Sequence, residues 1–174
     1  NKVYDGTTSA TVGGAEILQA GVAAGTGNSV DGKYYTGDTV SVIGTAIGTF
    51  NDKDVADATT VSFSGLSLTG AQEGNYVLAD HATAAHTITE LDVTANTITA
   101  NNKIYDGTNT ATLSTFTSSS FIGGDIVSFT STNTFDDENT GTGKTVTVAS
   151  IAVVGTDATN YNVTSNSETT IADI

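Results

Sequence analysis

Two short acidic stretches hold the residues whose type and spacing come nearest to metal chemistry: Asp52, Asp54 and Asp57 in the first half of the chain, and Asp136, Asp137 and Glu138 in the second. Calcium takes roughly six to eight oxygen ligands, and extracellular calcium levels fill even a weak carboxylate site. Neither stretch follows the helix-loop-helix calcium pattern, and a solvated hairpin tip of like charges is the competing reading. No catalytic residues emerge. His81 and His86 have no counterparts in the second half, no Gly-x-Ser-x-Gly nucleophile motif occurs, and the glycine-rich stretch Gly21 to Gly27 lacks the Lys-Ser/Thr of a phosphate loop. An acidic surface supplies paired carboxylates by chance, so enzyme activity is not expected. Tyr34 and Tyr35, set between Gly32 and Gly37, are the candidate ligand-binding residues. Aromatic side chains on loops of a rigid scaffold are a common way to hold sugars or proteins. Covering the end of a core is the alternative use of the same rings.

The chain that must position these residues is duplicated. Asn1-Lys2-Val3-Tyr4-Asp5-Gly6-Thr7 returns as Asn102-Lys103-Ile104-Tyr105-Asp106-Gly107-Thr108, and Ala10-Thr11 returns as Ala111-Thr112. Gly37-Asp38-Thr39-Val40-Ser41 matches Gly124-Asp125-Ile126-Val127-Ser128, Thr49-Phe50-Asn51-Asp52 matches Thr134-Phe135-Asp136-Asp137, and Asn75-Tyr76 matches Asn160-Tyr161. Tyr4 lies 33 residues before Gly37 and Tyr105 only 19 before Gly124, so copy one carries 14 extra residues, placed within residues 13 to 36. Repetition at this period points to an array of modules in place of one enzyme domain.

Composition agrees. The formal charge of −14 over 174 residues divides evenly: ten acids and three lysines in residues 1–90, nine acids and two lysines in residues 91–174, each half −7. All five basic residues are lysines, which leaves no surface able to neutralise a run of phosphates or an anionic membrane. Neither nucleic acid nor membrane is an expected partner. The absence of cysteine excludes disulfides, thiolate metal sites and cysteine nucleophiles. Because the first residue already lies inside the repeated signature, the chain is expected to be an internal segment of a longer protein.

Alternation of apolar and polar residues, as in Val40-Ser41-Val42, Val61-Ser62-Phe63, Leu91-Asp92-Val93, Thr145-Val146-Thr147-Val148 and Thr170-Ile171-Ala172, calls for short half-buried strands. The expected fold is all-β, with two tandem antiparallel sandwich domains of about seven strands each. They divide at residues 1–90 and 91–174, and Leu91 to Ala100 form a first strand that copy one lacks. Tyr4-Asp5-Gly6 and Tyr105-Asp106-Gly107 are expected to be structural, a core-anchoring tyrosine followed by a turn whose glycine takes a positive φ. Tyr76 and Tyr161 are expected to pin a loop through a hydroxyl bond to backbone, as in a tyrosine corner.

The two signatures, together with Thr134-Phe135-Asp136 before Gly141-Thr142-Gly143-Lys144-Thr145-Val146 and the stretches Gly70 to Tyr76 and Gly155 to Tyr161, resemble the YDG domain repeats of filamentous-haemagglutinin-like bacterial adhesins. The resemblance covers nearly all of both halves. It implies immunoglobulin-like β-sandwiches repeated as the stalk of an exported, secreted or cell-surface adhesin, without enzymatic activity; no cofactor is expected beyond the structural calcium considered for the acidic stretches. Partners would be neighbouring repeats of the same chain, and host or bacterial glycans or proteins if the loop around Tyr34 and Tyr35 binds. Copy one departs from the pattern at Asp54-Val55-Ala56-Asp57-Ala58-Thr59, where copy two has its Gly-Lys turn, and in its long stretch after the signature. Lysines in sandwich adhesins also form isopeptide bonds beside a buried acid, and Lys2 and Lys103 hold equivalent places; an exposed signature lysine is the simpler reading.

Overall fold

The alternating valine, threonine and serine segments form strands throughout. A computed structural model describes residues 1–14, 17–28, 31–79 and 83–174. Its strands are β1 (Lys2–Val3), β2 (Ser9–Ala10), β3 (Ser41–Phe50), β4 (Thr60–Thr69), β5 (Ala84–Ala85), β6 (Ile88–Thr89), β7 (Leu91–Val93), β8 (Thr97–Ala100), β9 (Leu113–Thr117), β10 (Ser128–Phe135), β11 (Lys144–Val154), β12 (Tyr161–Val163) and β13 (Ser167–Ala172). Helix among the described residues is confined to two single 3-10 turns, Glu73–Asn75 and Ala158–Asn160. The protein is all-β, built from several sheets.

The chain divides into two compact units. Unit 1 comprises residues 1–2, 7–53 and 57–87; unit 2 comprises residues 3–6, 54–56 and 88–174. Two short pieces of the first copy, the Tyr-Asp-Gly turn and the acidic loop around Val55, are therefore parts of unit 2.

Unit 1 is organised on a sheet of order β2-β3-β4-β5, whose long β3–β4 hairpin pairs Ser41 with Thr69 through Phe50 with Val61. Its described apolar core is thin, with Phe50, Ala58 and Val61 buried. Unit 2 has the sheet β10-β11-β13, an antiparallel pair β8–β9 and a parallel pair β7–β12. Its core is larger: Val146, Val148, Val93, Ile151 and Phe135 are buried, and Phe121, Phe116 and Phe129 stack with centroids 4.9 to 5.1 Å apart.

Both long hairpins slip register at the same level, with the extra residue on β11 in unit 2 and on β3 in unit 1. In β11 the ladder with β10 slips between Thr130 and Thr132, and Ser150 there has φ 54°. In β4 the equivalent residue is Gly65, φ 87°, opposite the slip between Gly44 and Ile47. A bulge residue in the left-handed region bends the strand and raises its twist.

Candidate functional site

Each signature folds back on itself through its lysine. Lys2 Nζ donates to the Thr7 carbonyl at 2.7 Å and to Thr7 Oγ1 at 3.0 Å; Lys103 Nζ donates to the Thr108 carbonyl at 2.7 Å and to Thr108 Oγ1 at 3.1 Å. Each ammonium also stands over a ring, Lys2 over Phe50 at 5.8 Å and Lys103 over Phe135 at 5.9 Å, a favourable cation–π arrangement. Gly6 and Gly107 both adopt φ 73°, the positive value this turn requires. Lys103 further pairs with Asp106 at 2.8 Å. That bond, with those from Thr108, lowers the Asp106 carboxyl to about 2. No described aspartate or glutamate is buried, so neither signature lysine has the buried acid that an isopeptide bond needs.

A second construction also occurs in both units. The Tyr76 hydroxyl donates to Asp38 Oδ2 at 2.6 Å and accepts the Tyr35 N–H at 2.9 Å. The Tyr161 hydroxyl donates to Asp125 Oδ2 at 2.7 Å and accepts the Ile122 N–H at 2.9 Å. The Asp38 bond raises the pKa of Tyr76, while burial first and then Asp125 push that of Tyr161 well above the usual phenol range. The supports repeat too. Gln72 Oε1 accepts the Thr39 N–H at 2.8 Å, and Asp157 Oδ2 accepts the Ile126 N–H at 2.8 Å. Gly70 and Gly155, at φ 127° and 129°, lie so close to the Thr39 and Ile126 carbonyls that a Cβ would overlap them.

In unit 2 this construction is a filled socket. The Tyr4 hydroxyl donates to the same Asp125 Oδ2 at 2.7 Å, and its ring meets Tyr161 edge-on. A carboxylate oxygen has lone pairs for both phenols. Gly6 follows so closely that a Cβ there would come within 2.9 Å of Ile122 Cγ2. Beside it Asn160, 1% exposed, accepts the Val55 N–H at 2.9 Å and donates to Asp54 Oδ1 at 2.8 Å. The Tyr-Asp-Gly turn and the Asp54–Ala56 loop thus insert side by side.

The acidic residues are spread over other partners. Lys144 bonds Asp137 at 2.6 Å and Asp136 at 3.2 Å, lowering the Asp137 carboxyl and raising its own pKa. Asp54 is held by Asn160, the Asp57 carbonyl accepts from Asn51 Nδ2 at 2.8 Å, and Asp52 and Glu138 do not join them in a cluster. No group of three or more His, Asp or Glu able to hold a metal gathers among the described residues. Tyr34 is half-buried and Tyr35 is 37% exposed; their backbone pairs with Val22 through Val22 N–H to Tyr34 O and Thr36 N–H to Val22 O, each 2.8 Å. His86 lies 3.3 Å from Asn1 Oδ1, at the rim of an open hollow floored by Phe50, Val61 and Phe63. His81 lies outside the described residues.

The residues not singled out from the sequence as site residues are Asp38, Asp125 and Asn160. Their signal was the Gly-Asp and Asn-Tyr matches between the copies.

What recurs here is a tandem β-repeat protein whose shared chemistry is the seating of a phenol on a carboxylate. The YDG domain model matches residues 1–85 and again 89–170, and the chain belongs to that family. Neither a curated protein nor a solved structure matches it.

Proposed function

We propose that the chain is a structural repeat segment, a stalk or spacer, of a large exported bacterial surface adhesin of the filamentous-haemagglutinin type. Its modules act as immunoglobulin-like β-sandwiches supporting adhesion or biofilm cohesion, and its work is mechanical, not catalytic. The observation that supports this reading is the bond-for-bond repetition of the lysine turn and the tyrosine–aspartate pair. In both copies the signature lysine bonds the backbone of its own turn, a structural use that recurs with the module.

Domain replacement tests the reading. Exchanging residues 1–174 in the parent protein for an unrelated β-repeat pair of equal length preserves cell adhesion if the segment is a spacer. Loss of adhesion with normal surface display overturns it. A glycan array signal abolished by Tyr34→Ala with Tyr35→Ala would assign the segment to the alternative class, a carbohydrate- or protein-binding module.

A further inference from the structure

Identical signatures stand in opposite surroundings. Tyr4 is 2% exposed, whereas Tyr105 is 56% exposed and its hydroxyl has no hydrogen-bond partner among the described residues; the preceding Ile104 is 91% exposed. The same contrast holds further along. Ala85 pairs with Thr60 where Ile171 pairs with Thr145, and the Lys2 N–H meets the Thr87 carbonyl where the Lys103 N–H meets that of Asp173, so the counterpart of Ile88 is Ile174; Ile88 is 2% exposed and Ile174 only half-buried. The Lys103–Asp173 bond, 3.0 Å long, leaves Ile174 one residue and Tyr105 two residues beyond the paired positions. Ile104 and Tyr105 are thus consecutive exposed apolar side chains of unit 2, one of them bearing a phenol hydroxyl.

Unit 1 presents the complement. Its Asp38 Oδ2 accepts Tyr76 alone among the described residues, where Asp125 Oδ2 accepts two phenols. Asn75, the counterpart of the buried Asn160, is exposed. Tyr34 and Tyr35 occupy the places of Phe121 and Ile122, since Tyr35 and Ile122 each give their N–H to the tyrosine hydroxyl.

We infer that these are two halves of one joint, closed head to tail by a further copy of this module: Tyr105, with Ile174 in the place of Ile88, seats on the Asp–Tyr pair of the copy that follows, and Asp38 with Tyr76 receives the tyrosine of a copy that precedes. Unit 2 carries the closed form, with Tyr4 in place. The order is fixed, because the tyrosine comes from the earlier copy and the socket from the later one. The Lys103 and Asp106 bonds hold the Tyr105 turn in shape before docking, which lowers the ordering cost. The contact is small, so covalent succession supplies the effective concentration that closes it. A heterologous contact of this kind propagates along an array without closing into a ring. The inference rests on the repeat reading above and adds the device that joins one repeat to the next.

The test extends the full chain past Ile174 by a second copy of residues 89–174, so that Ile174 takes the place of Ile88. Tyr105→Ala, and by a smaller amount Tyr105→Phe, should lower the melting midpoint of the appended module, the first by about 5 °C or more. The same changes should leave the 174-residue chain within about 1 °C, as expected for exposed positions. Iodination of Tyr105 should be rapid in the 174-residue chain and protected in the extended one. A Tyr105 equally reactive in both chains, or an appended module indifferent to both substitutions, overturns the inference. These outcomes are independent of the domain replacement, which asks about adhesion and not about the joint.

Discussion

The rings of Tyr4 and Tyr161 meet edge to face, centroids 5.6 Å apart and planes inclined at 73°, while both hydroxyls converge on one oxygen of Asp125. A residue near the start of the chain thereby completes a polar centre supplied otherwise by unit 2.

Removing only the hydroxyl tests that centre. Tyr4→Phe keeps the ring contact and deletes one bond to a charged acceptor, at an expected cost of about 1.5–2 kcal/mol. Tyr4→Ala also empties the socket, at about 3–4 kcal/mol. Amide exchange at Val146 and Val148, both fully buried in unit 2, reports the loss. A change below about 0.5 kcal/mol for Tyr4→Ala, within the range of an ordinary surface substitution, would show that the socket stabilises nothing.

Alkaline pH reaches the same centre from another direction. Tyr161 has a folded pKa raised above its ordinary value of 10.0, chiefly by burial and then by Asp125. Its contribution is therefore fully present below pH 10 and is lost as pH rises toward the folded value. The tyrosinate absorbance of the folded protein should lack at least the Tyr161 phenol at pH 11, and Tyr161→Phe should flatten the alkaline limb of stability. Full titration of every tyrosine near pH 10 in the folded state contradicts the assignment.

Asp106 contributes to the acid limb, its carboxyl lowered from 3.8 to about 2 by Lys103 and Thr108. With a depressed folded value the contribution is present above pH 3.8 and fades as pH falls toward 2. Carboxyl NMR should find the Asp106 midpoint near 2 in the native chain and close to 3.8 in Lys103→Ala. An unshifted native midpoint removes the ion pair from the account.

Backbone crowding gives a paired comparison. Gly155 at φ 129° leaves no room for a Cβ beside the Ile126 carbonyl, whereas Gly143 at φ 61° has open space around it. Gly143→Ala should cost about 1 kcal/mol for its left-handed backbone alone. Gly155→Ala adds a clash and should cost more than about 2 kcal/mol. Denaturant midpoints of the two variants decide it, and equal midpoints contradict the crowding argument.

How far the sequence carried these conclusions varies by element. Leu91-Asp92-Val93 alternates cleanly and is a strand, and the all-β character follows from such segments because period-two burial is a local property. Tyr76 and Tyr161 drew notice through their Asn-Tyr context, but Asp38 and Asp125 showed only as part of a match between copies. A match records that a residue recurs without saying what it touches across 36 or 38 positions of chain. The assignment of Val3–Gly6 and Asp54–Ala56 to unit 2 was invisible for the same reason, since seven nearly identical residues surround a buried Tyr4 and an exposed Tyr105. The acidic loops read as calcium candidates from charge alone, and only coordinates place Lys144 between Asp136 and Asp137.

The parallel ladder of β7 and β12, Leu91 with Tyr161 through Val93 with Val163, sets how unit 2 answers tension. In parallel strands the leading end of one and the trailing end of the other lie at opposite extremities, so traction between them runs lengthwise. Every rung is then strained at once, and rupture must be concerted where a hairpin pulled from its open end would unzip rung by rung.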